Sequence, residues 1–185
     1  MISVKDKMKS LYLLRHAKSS WKEPGLNDHD RPLSKRGRHT AKMMASYLRR
    51  AKTVPDLVIC STATRARQIL DPIIKATSKP PKIDLKREIY GGTQQLSEQL
   101  RNIPEIAKSV LLIGHNPALH DLARALAQDD SEKLLPSEGE KFPTGAMASF
   151  RFEGAWKALE PHGAVLVSFI TPKAIAGIDT LTKRL

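Results

Sequence analysis

The sequence predicts a layered α/β domain with a mainly parallel sheet, and three observations support that prediction. Short apolar runs alternate with amphipathic segments, in the order β-α-β-α-(β)-α-β-α-β-β. Several of the apolar runs stop abruptly at polar residues, as buried strands of α/β sheets do. The chain has 185 residues, of which 41% are hydrophobic, which is enough to bury one core, so 1–185 is predicted to form a single domain.

The first predicted strand, Leu11–Leu14, ends at the pair Arg15 and His16. Residues 1–10 precede it as a short basic lead-in, and a polar loop, 19–32, follows it. In open α/β sheets ligands bind outside the carboxyl ends of the strands. We therefore expect Arg15 and His16 to lie where such a sheet carries its chemistry.

The second unit begins with a helix for which Ser34 is the predicted N-cap, because apolar residues recur after it at i, i+3, i+4 and i+7. A second strand, 56–60, runs into a polar turn, 61–65, which contains Arg65. The next amphipathic helix contains Pro72 inside its apolar pattern, so the sequence predicts a kink or a break there.

The clearest buried strand, 110–113, leads to His115. Asn116 as N-cap and Pro117 at the first helical position predict that a helix starts directly after it. The remaining predicted elements are an extended segment, a turn, a helix, a polar loop and two final strands, at 82–90, 91–92, 96–103, 128–145, 147–152 and 164–170. Whether the 128–145 loop closes over a site is left open by the sequence.

The charge balance favours an anionic partner. Lys and Arg number 31 against 19 Asp and Glu, a formal net charge of +12. The cations are scattered and are not interleaved with aromatic residues, so most are expected to be solvated surface, and no nucleic-acid partner is expected. Nucleic-acid binding remains a third functional alternative, and it would show an affinity that falls steeply with salt.

The single cysteine, Cys60, excludes an intramolecular disulfide and is compatible with a reducing compartment. No apolar run approaches the length of a membrane span, and lysines interrupt the N-terminal segment where a signal peptide would be apolar. We therefore expect a cytoplasmic protein with no membrane contact. The six histidines form no ligand pair beside carboxylates, so no metal or other cofactor is expected.

Three predicted strands are followed by side chains suited to binding phosphate, namely Arg15 with His16, Arg65, and His115. Parallel strands bring their carboxyl ends to one edge of the sheet, so these four residues are expected to surround one anion. A guanidinium group binds phosphate oxygens through two donors, and an imidazole can act as a nucleophile or a proton carrier.

These residues lie in a series of motifs that, taken in order, resemble the histidine phosphatase superfamily, also called phosphoglycerate mutase-like. Within it, the resemblance is to the small SixA-type branch of phosphohistidine phosphatases. The motifs are Leu13-Leu-Arg-His-Ala-Lys-Ser19, Asp28-His-Asp-Arg-Pro-Leu-Ser-Lys-Arg-Gly37, the 61–68 turn, Gly114-His-Asn-Pro117 and Pro143-Thr-Gly145. The resemblance implies a three-layer α/β/α sandwich.

The resemblance also implies roles for the residues. His16 corresponds to the nucleophile that is transiently phosphorylated, and Arg15, Arg65 and His115 correspond to the pocket that holds the phosphoryl oxygens. Ser19 and Lys22 are additional predicted substrate contacts. The implied partner is therefore a phosphorylated substrate, either a phosphohistidine protein or a small phosphate ester, and the oligomeric state is left open.

The sequence departs from the larger members of the superfamily around the first motif. Ala17 and Lys18 replace a glycine and an acidic residue, and Lys22 stands where sugar-phosphate mutases have asparagine, which weakens a mutase interpretation. Glu88 is the candidate general acid, with Asp28 as an alternative. A third possibility is that no acid is needed, because an imidazole leaving group with a reference pKa of about 6.5 departs readily.

The predicted function is thus a metal-independent phosphatase acting on phosphohistidine or a related phosphomonoester. The alternatives are a broad-specificity small-molecule phosphomonoesterase and a non-catalytic phospho-ligand-binding protein on the same fold. A cysteine phosphatase fits less well, because the segment from Cys60 to Arg65 is one residue too short and lacks glycines. Cys60 is therefore expected to be a buried structural residue, and Trp21 and Trp156 are expected to pack in the interior.

Overall fold

The computed structural model describes residues 8–137, 140 and 142–182. Within them, six strands form one sheet, namely β1 (Met8–Arg15), β2 (Leu57–Ser61), β3 (Lys82–Lys86), β4 (Ser109–Gly114), β5 (Met147–Glu153) and β6 (Val165–Ile170). The α-helices of this part of the chain are α1 (Lys35–Arg50), α2 (Thr64–Ala76), α3 (Thr93–Arg101), α4 (Ala118–Leu126), α5 (Asp129–Glu132) and α6 (Pro172–Thr182). Short 3₁₀ turns lie at Asp28–Asp30, Arg87–Tyr90 and Trp156–Ala158.

The strand order is β3-β2-β4-β1-β5-β6. The first four strands in this order run parallel, and β5 pairs antiparallel with both β1 and β6. The prediction of a mainly parallel sheet is confirmed. The antiparallel edge suits the direct connection through 154–164, because a parallel pair would need a longer crossover.

Helices cover both faces of the sheet, which confirms the three-layer α/β/α sandwich. Successive strand residues point to opposite faces, so Leu11 and Leu13 join one hydrophobic core and Leu14 joins the other. The first core includes the buried faces of α3 and α4, and the second includes those of α1, α2 and α6. These two cores fix the sheet, and with it the edge where the parallel strands end.

Two strand boundaries differ from the prediction. β1 starts at Met8, so the last three residues of the predicted basic lead-in belong to the strand, and 1–7 lie outside the described residues. The extended segment predicted for 82–90 ends at Lys86, opposite Ser61, because β2 offers no further residue to pair with. The chain then turns in 3₁₀ conformation up to Tyr90.

Three helices also differ from the prediction. α2 continues through Pro72 without a break, because the neighbouring Ile69 and Ile73 are buried in the core and hold the helix in place. Asn116 is not an N-cap, since its amide instead donates to the Phe142 carbonyl, at 3.2 Å, and α4 begins at Ala118. The C-terminal helix α6 was not predicted at all. In contrast, Ser34 caps α1 as predicted, with its Oγ 3.1 Å from the Gly37 nitrogen.

Two glycines fix the loops around the end of β1. A Cβ on Gly37 would lie 2.1 Å from the Lys18 carbonyl oxygen, so only glycine lets the first turn of α1 approach the loop that follows β1. Gly145 has a φ of +78°, which favours glycine, and its N–H donates to the carbonyls of Arg15 and His16 at 3.1 Å each. These contacts hold two loops against the end of β1.

Candidate active site

The parallel strands β1, β2 and β4 end side by side at one edge of the sheet. Arg15 is the last residue of β1 and pairs in register with Gly114, the last residue of β4. The backbone N–H of His16 donates to the Gly114 carbonyl at 3.1 Å. His115 follows β4 directly, and Arg65 lies in the first turn of α2, just after β2. The sheet therefore brings the four predicted residues to one edge.

His16 is held as a neutral imidazole with a free lone pair on one nitrogen. Its Nδ1 lies 2.7 Å from the Ala17 carbonyl oxygen, which can only accept, so this geometry assigns the ring proton to Nδ1. Its Nε2 accepts a hydrogen bond from Arg65 Nε at 3.3 Å. The side chain is 7% exposed. Nε2 therefore carries a lone pair that is available for attack, and it points toward the Arg65 guanidinium.

Arg65 is oriented by Asp28 on the side of the guanidinium away from His16. Arg65 Nη2 lies 2.8 Å from Asp28 Oδ2, and Nη1 donates to the Asp28 backbone carbonyl. Asp28 also accepts from the Tyr90 hydroxyl and, at 2.5 Å, from Arg31. The hydrogen bond from Tyr90, followed by the charges and hydrogen bonds of the two arginines, lowers the pKa of Asp28 to about 2. Asp28 is thus ionised at neutral pH and is an acceptor, not a proton donor.

His115 and Arg15 each have a buried nitrogen without a partner among the described residues. The Nε2 of His115 lies 2.9 Å from Ser61 Oγ, which leaves its Nδ1 unpaired. Arg15 donates through Nη1 to the Phe142 carbonyl, and its Nε is unpaired. Buried polar groups are nearly always hydrogen-bonded to protein or ordered water, so these two nitrogens can hydrogen-bond a ligand or ordered water at this site.

Burial and like charge keep both imidazoles neutral. The rings of His16 and His115 lie 4.9 Å apart. Burial, and then the charges of Arg65 and Arg15, lower the pKa of His16 to about 4. Burial, and then the neighbouring His16 and Arg65, lower the pKa of His115 to about 3. Burial and the Arg65 charge also lower the pKa of Arg15. The site therefore combines two cationic guanidinium groups with two neutral imidazoles.

We predict that His16 stays neutral well below the pH at which an exposed histidine protonates. In an NMR titration of its imidazole, the midpoint should lie near pH 4, and a midpoint near 6.5 would contradict the burial argument. Because the unfolded chain binds more protons between these values, the free energy of unfolding should rise with pH from about 4 to 6.5.

The structure does not bring the three other predicted residues into contact with this group. The Glu88 side chain is exposed in the 3₁₀ turn, and none of the described hydrogen bonds or ion pairs involves its carboxylate. Ser19 Oγ accepts from Arg31 Nη2 at 2.7 Å, and Arg31 in turn binds Asp28, so Arg31 lies between Ser19 and Asp28. Lys22 is exposed, and only its backbone nitrogen is hydrogen-bonded, to Ser20. The roles predicted for these three remain predictions.

Sequence reasoning missed two residues that contact the group, Tyr90 and Ser61, and a third, Arg31, that is linked to it through Asp28. Tyr90 packs edge-on against the His115 ring, at 4.8 Å, and its hydroxyl binds Asp28. Ser61 hydrogen-bonds His115. Arg31 is buried and paired with Asp28, and its spacing of three residues from Asp28 was an available signal, because such pairs meet on a helical turn. Nothing in the sequence around Tyr90 indicates its contacts.

A thiol mechanism does not fit the site. Cys60 is fully buried, as predicted, and burial raises its pKa to about 12, so the thiolate needed for attack does not form at neutral pH. Among the described residues, no group of three or more His, Cys, Asp or Glu side chains is arranged to hold a metal ion. No helix in that part of the chain is both long and apolar enough to span a bilayer.

Comparisons with known proteins identify the relatives of this chain. Residues 11–105 match the profile of the histidine phosphatase superfamily (branch 1). An uncharacterised protein of Mycobacterium tuberculosis is 36% identical over 163 residues, a match that covers 86% of this chain and 100% of that protein.

Among solved structures, this chain is similar to proteins from Nakamurella multipartitia and Agrobacterium tumefaciens, both provisionally named phosphohistidine phosphatase SixA. The first is 29% identical with a TM-score of 0.76, and the match covers 89% of this chain and 96% of that one. The second is 28% identical with a TM-score of 0.75, and the match covers 89% of this chain and 98% of that one.

Proposed function

This chain belongs to the histidine phosphatase superfamily and is SixA-like, and from that premise we propose that it hydrolyses phosphohistidine or a related phosphomonoester through a phosphorylated His16. The family supports a phosphatase that acts on a phosphorylated substrate. The observation that carries the finer proposal is the Nε2 lone pair of His16, which lies beside Arg65 at the sheet edge where Arg15 and His115 have unpaired buried nitrogens.

In the proposed first step, His16 Nε2 attacks phosphorus. A phosphorus–nitrogen bond forms as the bond to the leaving group breaks, and the electron pair of that bond departs with the leaving group. Arg15, Arg65 and His115 donate hydrogen bonds to the phosphoryl oxygens and offset the charge that develops on them. The proton of His16 stays on Nδ1, which donates it in a hydrogen bond to the Ala17 carbonyl, and this hydrogen bond supports positive charge on the ring.

In the proposed second step, water attacks the phosphorylated His16. The phosphorus–nitrogen bond breaks, its electron pair returns to Nε2, inorganic phosphate forms, and one proton from water passes to solvent. The same three donors hold the phosphoryl oxygens in both steps. We propose that the reaction is metal-independent, because these side chains supply the positive charge that a metal would otherwise provide.

The choice of leaving group follows from the carboxylates around the site. Asp28 is ionised, and Glu88 is exposed without a described contact to His16. An alkoxide leaving group needs a proton donor, whereas a phosphohistidine ring that carries a proton on its other nitrogen departs as neutral imidazole, whose conjugate acid has a reference pKa of about 6.5. These features support phosphohistidine over alkyl phosphates as the substrate. That 1–185 functions as one domain and that the protein is cytoplasmic remain predictions.

A substrate panel tests the proposal. We expect the highest kcat/KM for a phosphohistidine protein, a lower value for para-nitrophenyl phosphate, whose phenolate also departs readily, and the lowest values for a phosphoserine peptide and sugar phosphates. Robust turnover of sugar phosphates with none of phosphohistidine would contradict the proposed substrate. Tight phosphate binding without turnover of any substrate would favour the non-catalytic binding protein.

A further inference from the structure

Trp21 lies on the surface, although the sequence predicted that it packs in the interior. Its side chain is 74% exposed, whereas Trp156 is buried as predicted and donates to the Ala107 carbonyl at 2.7 Å. Tryptophan is highly buried on average in folded proteins, and it is enriched among the residues that contribute most to protein–protein binding. An exposed indole on the loop beside a candidate active site is therefore a candidate contact for a partner.

The Trp21 indole stacks on the guanidinium of Arg31, whose own hydrogen bonds hold it in place. The Arg31 guanidinium carbon lies 3.1 Å from the centre of the Trp21 ring. Arg31 itself is only 5% exposed, and it donates to the Ser20 carbonyl at 3.0 Å, to Ser19 Oγ at 2.7 Å and to Asp28 Oδ1 at 2.5 Å. A ring held on an anchored cation loses little freedom when a partner binds, which favours affinity.

Hydrogen bonds connect Arg31 to the candidate active site through Asp28 and Arg65. Asp28 accepts from Arg31 through Oδ1 and from Arg65 through Oδ2, at 2.8 Å, and Arg65 contacts His16. A partner bound at Trp21 would thus be separated from His16 by three side chains, those of Arg31, Asp28 and Arg65. That distance suits a protein that presents a phosphorylated side chain to the site, and a free amino acid would be too small to reach both.

Exposed cations lie on the loop that carries Trp21 and at the start of α1, to which this loop is hydrogen-bonded. Lys18 and Lys22 lie on the same loop, and the Lys18 carbonyl accepts from the Ser34 nitrogen at 2.9 Å, which brings Lys18 next to the exposed Lys35 and Arg36. A basic rim around an apolar anchor complements a partner that carries acidic residues around an apolar contact.

We propose that Trp21 on Arg31, with Lys18 and Lys22 at its rim, is the docking surface for the protein that carries the phosphohistidine substrate. This inference rests on the proposed function of the site. The partner has an apolar patch for the indole and an acidic surface around its phosphorylated histidine.

The test compares two substrates that contain the same phosphorus–nitrogen bond. One is the free amino acid phosphohistidine, and the other is an acidic protein with one exposed histidine, phosphorylated with phosphoramidate. Trp21→Ala should lower kcat/KM for the phosphoprotein about tenfold or more, through KM, and leave the free amino acid within about twofold. Trp21→Phe should recover part of the loss. Ile106→Ala is the matched control, because Ile106 is 87% exposed and precedes β4 at the opposite edge of the sheet.

A binding measurement separates docking from turnover. In a His16→Ala background, Trp21→Ala should weaken binding of the same phosphoprotein about tenfold or more. An equal loss of kcat/KM for both substrates would show that Trp21 supports the catalytic loop and does not dock a partner, and no loss for either would overturn the docking surface. If the wild type hydrolyses neither substrate while the binding difference persists, the proposed function fails and the docking surface stands.

Discussion

Replacing His16 by alanine should reduce turnover by about a thousandfold or more, because it removes the nitrogen that forms the covalent intermediate in the proposed mechanism. Arg15, Arg65 and His115 remain in the variant, so inorganic phosphate should still bind. The two measurements are kcat with the phosphohistidine protein and phosphate affinity by calorimetry. Loss of turnover with binding retained is the result expected of a nucleophile.

The matched control for this variant is His39→Ala, which removes an exposed histidine from α1. It should leave kcat within about twofold, as surface substitutions do. Circular dichroism of both variants checks that the fold is kept. If His16→Ala retains a substantial part of the wild-type kcat, His16 is not the nucleophile and the proposed mechanism is wrong.

Replacing Arg65 by lysine should lower kcat/KM by about a hundredfold or more, although the positive charge is kept. The Arg65 guanidinium contacts His16 through Nε and Asp28 through both terminal nitrogens. A lysine ammonium is a single point and cannot hold both positions while donating to a phosphoryl oxygen. Steady-state kinetics with the phosphohistidine protein measures the loss, and phosphate affinity should fall as well.

Arg67→Lys provides the control, since Arg67 lies two residues further along α2 and is exposed. It should change kcat/KM by about twofold or less. A melting curve for the Arg65 variant separates loss of function from loss of fold, because Asp28 loses one of its partners in that variant. Near-wild-type kinetics for Arg65→Lys would show that charge alone is required, which would contradict the role given to the planar guanidinium.

The grouping of the four site residues could be predicted because it depends on the main chain. Each of Arg15, His16 and His115 follows a buried strand, and Arg65 follows one after a short turn. Strands of a parallel sheet end at one edge, whatever the surrounding side chains are. Alternation of apolar runs and amphipathic segments was therefore enough to place them together.

The side chains that orient this group could not be predicted in the same way. Tyr90 reaches Asp28 from a separate segment, across 62 residues of sequence, and that contact depends on where β3 stops pairing with β2. Trp21 was predicted to be buried because of its residue type alone, but its position is set by the contacts of Arg31 within a polar loop. Contacts between loops depend on tertiary packing, which local patterns do not encode.

Two local helix signals gave way to tertiary contacts. The sequence predicted a kink or a break at Pro72, and α2 continues without a break because burial of the neighbouring residues in the core outweighs the lost hydrogen bond. Asn116 has the residue type of an N-cap, but its amide binds the Phe142 carbonyl on a distant loop. In both cases a tertiary contact overrides the preference of the local sequence.

The central claim is that His16 attacks phosphorus through Nε2 while Nδ1 keeps its proton and donates a hydrogen bond to the Ala17 carbonyl. The most direct measurement is to mix enzyme with a phosphohistidine substrate, quench rapidly in alkali, where phosphohistidine survives, and locate the phosphoryl group by mass spectrometry and ³¹P NMR. The phosphoryl group should be found on Nε2 of His16. Its presence on Nδ1, on another residue, or on no residue while turnover continues would contradict the mechanism.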